Sequence, residues 1–142
     1  MKRSASAVWH GNLKQGRGVL SSDSGVLKDT PYSFATRFET TPGTNPEELI
    51  AAAHAGCYAM AFSAELGKAG FTPDHVSAKA TVHLEMPGGT PTVTQSHLEM
   101  TAKIPGIDQA KFDEIATGAK NGCPISRLLK AAEITLDAKL EQ

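Results

Sequence analysis

The 142-residue sequence predicts a single α+β domain in which antiparallel strands surround one long buried helix. Three features carry this reading: alternating, turn-bounded segments in the first forty residues, a long apolar helix after them, and a second strand pair followed by an amphipathic helix and a closing strand.

The opening segments "SASAVWHG", "GRGVLSS" and "PYSFATRFE" are strands separated by Gly, Asn, Asp and Pro turns. In the third, Tyr32, Phe34 and Phe38 share one face, and Ser33, Ala35, Arg37 and Glu39 the other. "TPGTNPEELI" then starts a helix, with Asn45 as cap, Pro46 in the first position and Glu47 and Glu48 complementing the helix dipole. It is expected to run to Gly70. Between Leu49 and Ala64 its only polar side chains are His54, Tyr58 and Ser63, so burial on every side is expected. The run falls short of the roughly 18 apolar residues of a membrane span, and Glu47, Glu48 and Glu65 flank it.

Two alternating strands follow, with Val76, Ala78, Ala80, Val82, Leu84 and Met86 on one face of the first, and Leu98, Met100, Ala102 and Ile104 on one face of the second. "PGGTPT" joins them as a hairpin. "PGIDQAKFDEIATGAKNG" is an amphipathic helix capped by Asp108, stopped by Gly122, with Phe112, Ile115, Ala116 and Ala119 inward. "CPISRLLKAA" is a short helix with Cys123 at the cap and Pro124 first inside, and "EITLDAKL" closes the chain as a strand.

A chain of this size covers one side of an all-round apolar helix well. The pattern therefore favours an intertwined homodimer, with the 46–69 helices packed together near a two-fold axis, over a monomer whose two sheet regions sandwich the helix.

The formal net charge of −1 and the lack of a basic cluster argue against nucleic acid or a membrane as the main partner. "MKRSASAVWHGN" has no apolar signal-peptide core, so a cytoplasmic location is expected. A domain this long buries roughly 68–70% of its unfolded surface and needs neither metal nor disulfide to fold. Its two cysteines, Cys57 and Cys123, are then core residues, redox thiols or nucleophiles.

A cysteine in an apolar helix is most often a small core residue, and burial makes it inert unless a cation stabilises the thiolate; with inert cysteines the chain is a non-enzymatic, stress-induced structural or small-hydrophobe-binding dimer. Cys123, at a helix N-terminus, is locally better placed to ionise. If both thiols act, one is oxidised to a sulfenic acid and the other condenses with it. His54 lies one turn before Cys57, a spacing open to a Cys-His hydrolase or an H-x-x-C metal site, but no third orienting residue or further ligands match, and a satisfied core histidine is favoured. His83 and His97 lie on polar strand faces, and Arg127 on the surface.

"GTNPEELIAAAHAGCYAM" and "AKNGCPISRLLKAAEITLDAKL" resemble the two cysteine motifs of the OsmC/Ohr family, the osmotically inducible protein C and organic hydroperoxide resistance proteins. The resemblance covers essentially the whole chain, and "VLKDTPYSFATRFE" is closer to the OsmC branch. It implies an OsmC-like fold over residues 1–142 and a thiol-dependent peroxidase of organic hydroperoxides, with no metal and no bound cofactor. By position, Cys57 matches the peroxidatic cysteine, Cys123 the resolving cysteine and Glu47 the carboxylate that holds an active-site arginine. That arginine matches Arg37 in the OsmC pattern, whereas the Ohr branch takes it from an earlier loop, which leaves Arg17 as a rival. Away from the resemblance, Arg37 reads as an exposed strand residue paired with Glu39. The family is also associated with an external dithiol, carried on lipoylated proteins, as reductant.

Glu47 and Cys57 are ten residues apart, about 15 Å along one straight helix. They meet only if two helices cross antiparallel, with Glu47 of one subunit beside Cys57 of the other. Leu49, Ile50, Ala53, Tyr58, Met60 and Phe62 would wall such a site and favour alkyl or fatty-acyl hydroperoxides over hydrogen peroxide.

Overall fold

The computed structural model describes residues 1–141, which gather into two compact units, Met1–Leu49 and a second from Ile50 onward. In the first, β1 (Ala5–His10), β2 (Arg17–Ser22) and β3 (Thr30–Ser33) form an antiparallel sheet in sequence order. Trp9 and Tyr32 meet over Gly18, with ring centroids 5.3 Å apart. A Cβ at position 18 would lie 2.5 Å from Tyr32 Cε1 and 2.7 Å from Trp9 Cε3, so the two rings close over β2 only because it carries glycine there.

The third strand is shorter than the sequence pattern predicts. After Ser33 the chain turns into α1 (Phe34–Phe38), started by a capping box: Ser33 Oγ accepts from the Thr36 N–H and Thr36 Oγ1 accepts from the Ser33 N–H. Phe34 and Phe38 satisfy strand alternation, but they are also four residues apart, and on the helix their rings pack with centroids 4.9 Å apart. The two periods coincide at these positions, and the cap decides between them. Arg37 is therefore a helical residue, not a strand residue opposite Glu39.

α2 (Pro46–Lys68) starts as its proline and acidic pair predict, with Asn45 Oδ1 accepting from the Glu48 N–H. It ends two residues before Gly70. The expected burial on every side does not hold in the single chain: His54, Tyr58, Phe62 and Leu66, one residue every four, form a single buried stripe, while Ala52, Ala53, Gly56 and Met60 are exposed. One chain supplies cover for one face. By length and composition α2 also reaches the range of a membrane span, contrary to the residue count made from the sequence. Its aromatic side chains, Tyr58 and Phe62, and Leu66, however, lie in a protein core.

In the second unit β4 (His75–Glu85) pairs antiparallel with β5 (Thr92–Lys103) through a tight turn at 87–89, where Gly88 and Gly89 have φ of 62° and 83°. Met86, expected on the inner face, falls just beyond β4 and is exposed. β6 (Glu133–Glu141) runs parallel to β5, so this sheet is mixed, not antiparallel as expected. A parallel neighbour requires a crossover, and α3 (Gln109–Gly122) and α4 (Pro124–Leu128) provide it. Strand alternation reads the same in both directions, so the sequence pattern carried no orientation.

The core of this unit joins Tyr58, Phe62 and Leu66 of α2 with Leu98, Met100 and Ala102 of β5 and Phe112, Ile115, Ala116 and Ala119 of α3. Phe62 meets Phe112 edge to face at 5.7 Å, and the Tyr58 hydroxyl donates to the Ala116 carbonyl at 3.3 Å.

Candidate active site

Cys57 and Cys123, 66 residues apart in sequence, meet in the second unit with Cys123 Sγ donating to Cys57 Sγ at 2.9 Å. Both are free thiols. Cys57 projects from the middle of α2 and is half-buried; Cys123 is fully buried where α3 ends and α4 begins. The junction follows from local sequence, because Gly122 ends α3 and Pro124, which lacks an N–H, opens α4 without losing a hydrogen bond.

Burial pushes the Cys57 thiol above its ordinary value, and the neighbouring Cys123 adds to the shift, while the backbone N–H of Ile125 pulls it down. No cation offsets this rise among the described residues, whereas an attacking thiolate needs one.

His54 is the satisfied core histidine that the spacing favoured. Its ring is fully buried, with Nδ1 2.7 Å from Ser96 Oγ on β5 and Nε2 2.8 Å from Ser126 Oγ on α4. Burial holds it below its usual pKa, as a neutral ring with one donor and one acceptor nitrogen. With both nitrogens engaged by serines, it is neither hydrogen-bonded to Cys57 nor free to bind metal. Among the described residues no cluster of metal-ligating side chains forms.

In the first unit Arg37 and Glu47 form a two-point ion pair, with Nη2 donating to Oε1 at 2.8 Å and Nε reaching both carboxylate oxygens at 3.2 Å. Glu47 is 12% exposed and Arg37 35%. The Arg37 guanidinium also lies 5.1 Å from the Phe38 ring centroid. Arg17, the rival arginine, is an exposed β2 residue opposite Ser33. A cleft of about 260 Å³ beside Arg37 is lined by Trp9, Leu13, Tyr32, Phe34 and Phe38. Strand alternation over 32–38 hides this aromatic cleft in the sequence; Ser33 and Thr36, in capping-box spacing, are the signal for it.

The apolar wall predicted around Cys57 divides. Tyr58 and Phe62 are fully buried in the core, where burial also pushes the Tyr58 phenol up, so they line no entrance. Leu49 and Ile50 are half-buried, and Ala53 and Met60 are exposed.

A family model described as OsmC-like protein matches residues 39–139. The chain is 50% identical over 135 residues to "Peroxiredoxin OsmC" of Escherichia coli, covering 95% of this chain and 94% of that one. It is 32% identical over 97 residues to "Organic hydroperoxide resistance protein" of Xanthomonas axonopodis pv. citri, 66% of each chain. Among solved structures, an OsmC-like protein from Mycoplasma pneumoniae superposes with a TM-score of 0.76, covering 100% of this chain and 99% of that one at 16% identity, a likeness of fold. With the two cysteine motifs joined in space and this degree of identity over nearly its whole length, the chain belongs to the OsmC-like family.

Proposed function

We infer that the protein is a thiol-dependent peroxidase that reduces organic hydroperoxides to alcohols. The observation that carries this is the 2.9 Å contact between Cys57 and Cys123, because a sulfenic acid formed on one sulfur lies at once within reach of the other thiol. The Cys57 thiolate attacks the terminal peroxide oxygen, the O–O bond breaks, and the departing alkoxide takes a proton to leave as alcohol. Cys123 then attacks Cys57 Sγ, the S–S bond forms, and the sulfenic oxygen departs as water. An external dithiol, such as a lipoyl group, reopens the bridge by exchange in the reducing cytoplasm.

Cys57 needs a cation for this, and Arg37, held by Glu47, is the candidate. Because Glu47 and Cys57 are ten residues apart on one helix, the pair is assigned to the other subunit of a homodimer of single-domain chains. The exposed apolar residues of α2, Met60 foremost at 77%, support that assembly. The aromatic cleft beside Arg37 suits the alkyl group of the substrate. The hydrolase reading loses its base, since His54 is engaged by two serines.

Titrating reduced protein with cumene hydroperoxide, followed by mass spectrometry, tests the reading. A Cys57–Cys123 disulfide at one equivalent supports it, with Cys57→Ser inert and Cys123→Ser stopping at an oxidised Cys57. Unchanged thiols in the wild-type protein overturn it. Faster turnover of hydrogen peroxide than of tert-butyl hydroperoxide would overturn the organic preference.

A further inference from the structure

The two helices that carry the cysteines are joined at two points. Cys57 meets Cys123 at 2.9 Å, and three residues earlier on α2, His54 Nε2 meets Ser126 Oγ, three residues after Cys123, at 2.8 Å. Ser96 on β5 holds the other ring nitrogen, so the imidazole is anchored to the sheet. α4 has only five residues, too few to hold a helical position by its own hydrogen bonds. Its side chains on the core side are Ile125, packed against the core, and Ser126, nearly fully buried.

We propose that Ser96, His54 and Ser126 form a positioning device for disulfide closure, in which the His54–Ser126 hydrogen bond holds α4 so that Cys123 Sγ keeps its place beside Cys57 Sγ while the latter is oxidised. The proposal rests on the peroxidase reading for its role in turnover. In the closing step the Cys123 thiol loses its proton, its sulfur attacks Cys57 Sγ, and the sulfenic oxygen leaves with two protons as water. The sulfur separation shortens from 2.9 Å to about 2.05 Å, a small move only while α4 stays in place. His54, Ser96 and Ser126 are thus positioning residues that touch no substrate.

The test compares Ser126→Ala with Ser96→Ala, since each removes one hydrogen bond from the same buried ring but only the first releases α4. Closure is timed by rapid quench and mass spectrometry, once with cumene hydroperoxide and dimedone to trap sulfenic acid, and once with diamide, which closes a dithiol without peroxide. Ser126→Ala is expected to form the Cys57 sulfenic acid at the wild-type rate but to close the disulfide about tenfold more slowly with either oxidant, accumulating the dimedone adduct. Ser96→Ala stays within about threefold of wild type, and Ser126→Thr, which keeps the hydroxyl, recovers most of the rate. Equal slowing in the two alanine variants, or none in either, overturns the proposal. A wild-type protein that closes with diamide but ignores cumene hydroperoxide refutes the peroxidase reading alone, and the diamide rates still decide the positioning role.

Discussion

Closing the Cys57–Cys123 bridge should raise stability strongly, because the cross-link spans 66 residues. Chain-entropy reckoning for a loop of that length gives about 4 kcal/mol, through restriction of the unfolded chain. Strain in the folded state subtracts from this. Here the sulfurs already stand 2.9 Å apart and the moving part is a five-residue helix outside the sheet, so most of the gain should survive. For a chain of this size that corresponds to a rise of roughly 10–15 °C in Tm. The assay is thermal unfolding of diamide-oxidised and fully reduced protein at one fixed concentration, since association also shifts Tm. Cys123→Ser, treated identically, controls for other effects of the oxidant. An oxidised protein with the bridge verified by mass that melts within about 2 °C of the reduced form, or below it, would show that closure distorts the fold as much as it restrains the unfolded chain.

Glu47→Gln keeps the shape of the side chain but removes the charge that holds Arg37; peroxide consumption in stopped flow should fall about tenfold, with stability changed by less than about 1 kcal/mol because the pair is partly exposed. Arg37→Met leaves burial to set the Cys57 pKa, so the pH profile of its alkylation by iodoacetamide should move upward, reactivity appearing only as pH rises past the ordinary thiol range; an unmoved profile would exclude Arg37 as the activating cation. Phe62→Ala empties a fully buried site between Tyr58 and Phe112 and should cost about 3–5 kcal/mol in denaturant unfolding. In the proposed dimer, Met60→Glu places a charge on the exposed apolar side of α2 and should give a monomer in sedimentation where the unaltered protein is dimeric; a variant that remains dimeric at micromolar concentration would place the subunit interface elsewhere.

The elements with strong local punctuation could be read from the sequence. Asn45-Pro46 and Asp108 mark helix starts, and the alternation from Val76 to Leu84 marks a half-covered strand, since each of these signals lies within a few residues. α1 reads as a strand in the sequence because positions 34 and 38 satisfy both periods and the deciding cap is a pair of small hydroxyl side chains. The direction of β6 was hidden because pairing is a property of the partner strand. The pairing of Cys57 with Cys123 was implied by family resemblance, whereas their approach depends on how a 66-residue excursion folds back. The serines that hold His54 were unreadable for the same reason: they lie 42 and 72 residues away on other elements.

The parallel pairing of β6 with β5 also sets an order of events during synthesis. No local hairpin can form this contact, because Gln95 waits for Glu133 across the whole crossover. The strand that completes the sheet, β6, is made after β4 and β5, and the Cys123 helix sits in the crossover just before it. In the proposed mechanism a growing chain therefore presents Cys57 to the cell before Cys123 has been made, and an early oxidation can proceed past sulfenic acid to the irreversible sulfinic form. In that mechanism, protection of Cys57 against over-oxidation is complete only when β6 has docked beside β5.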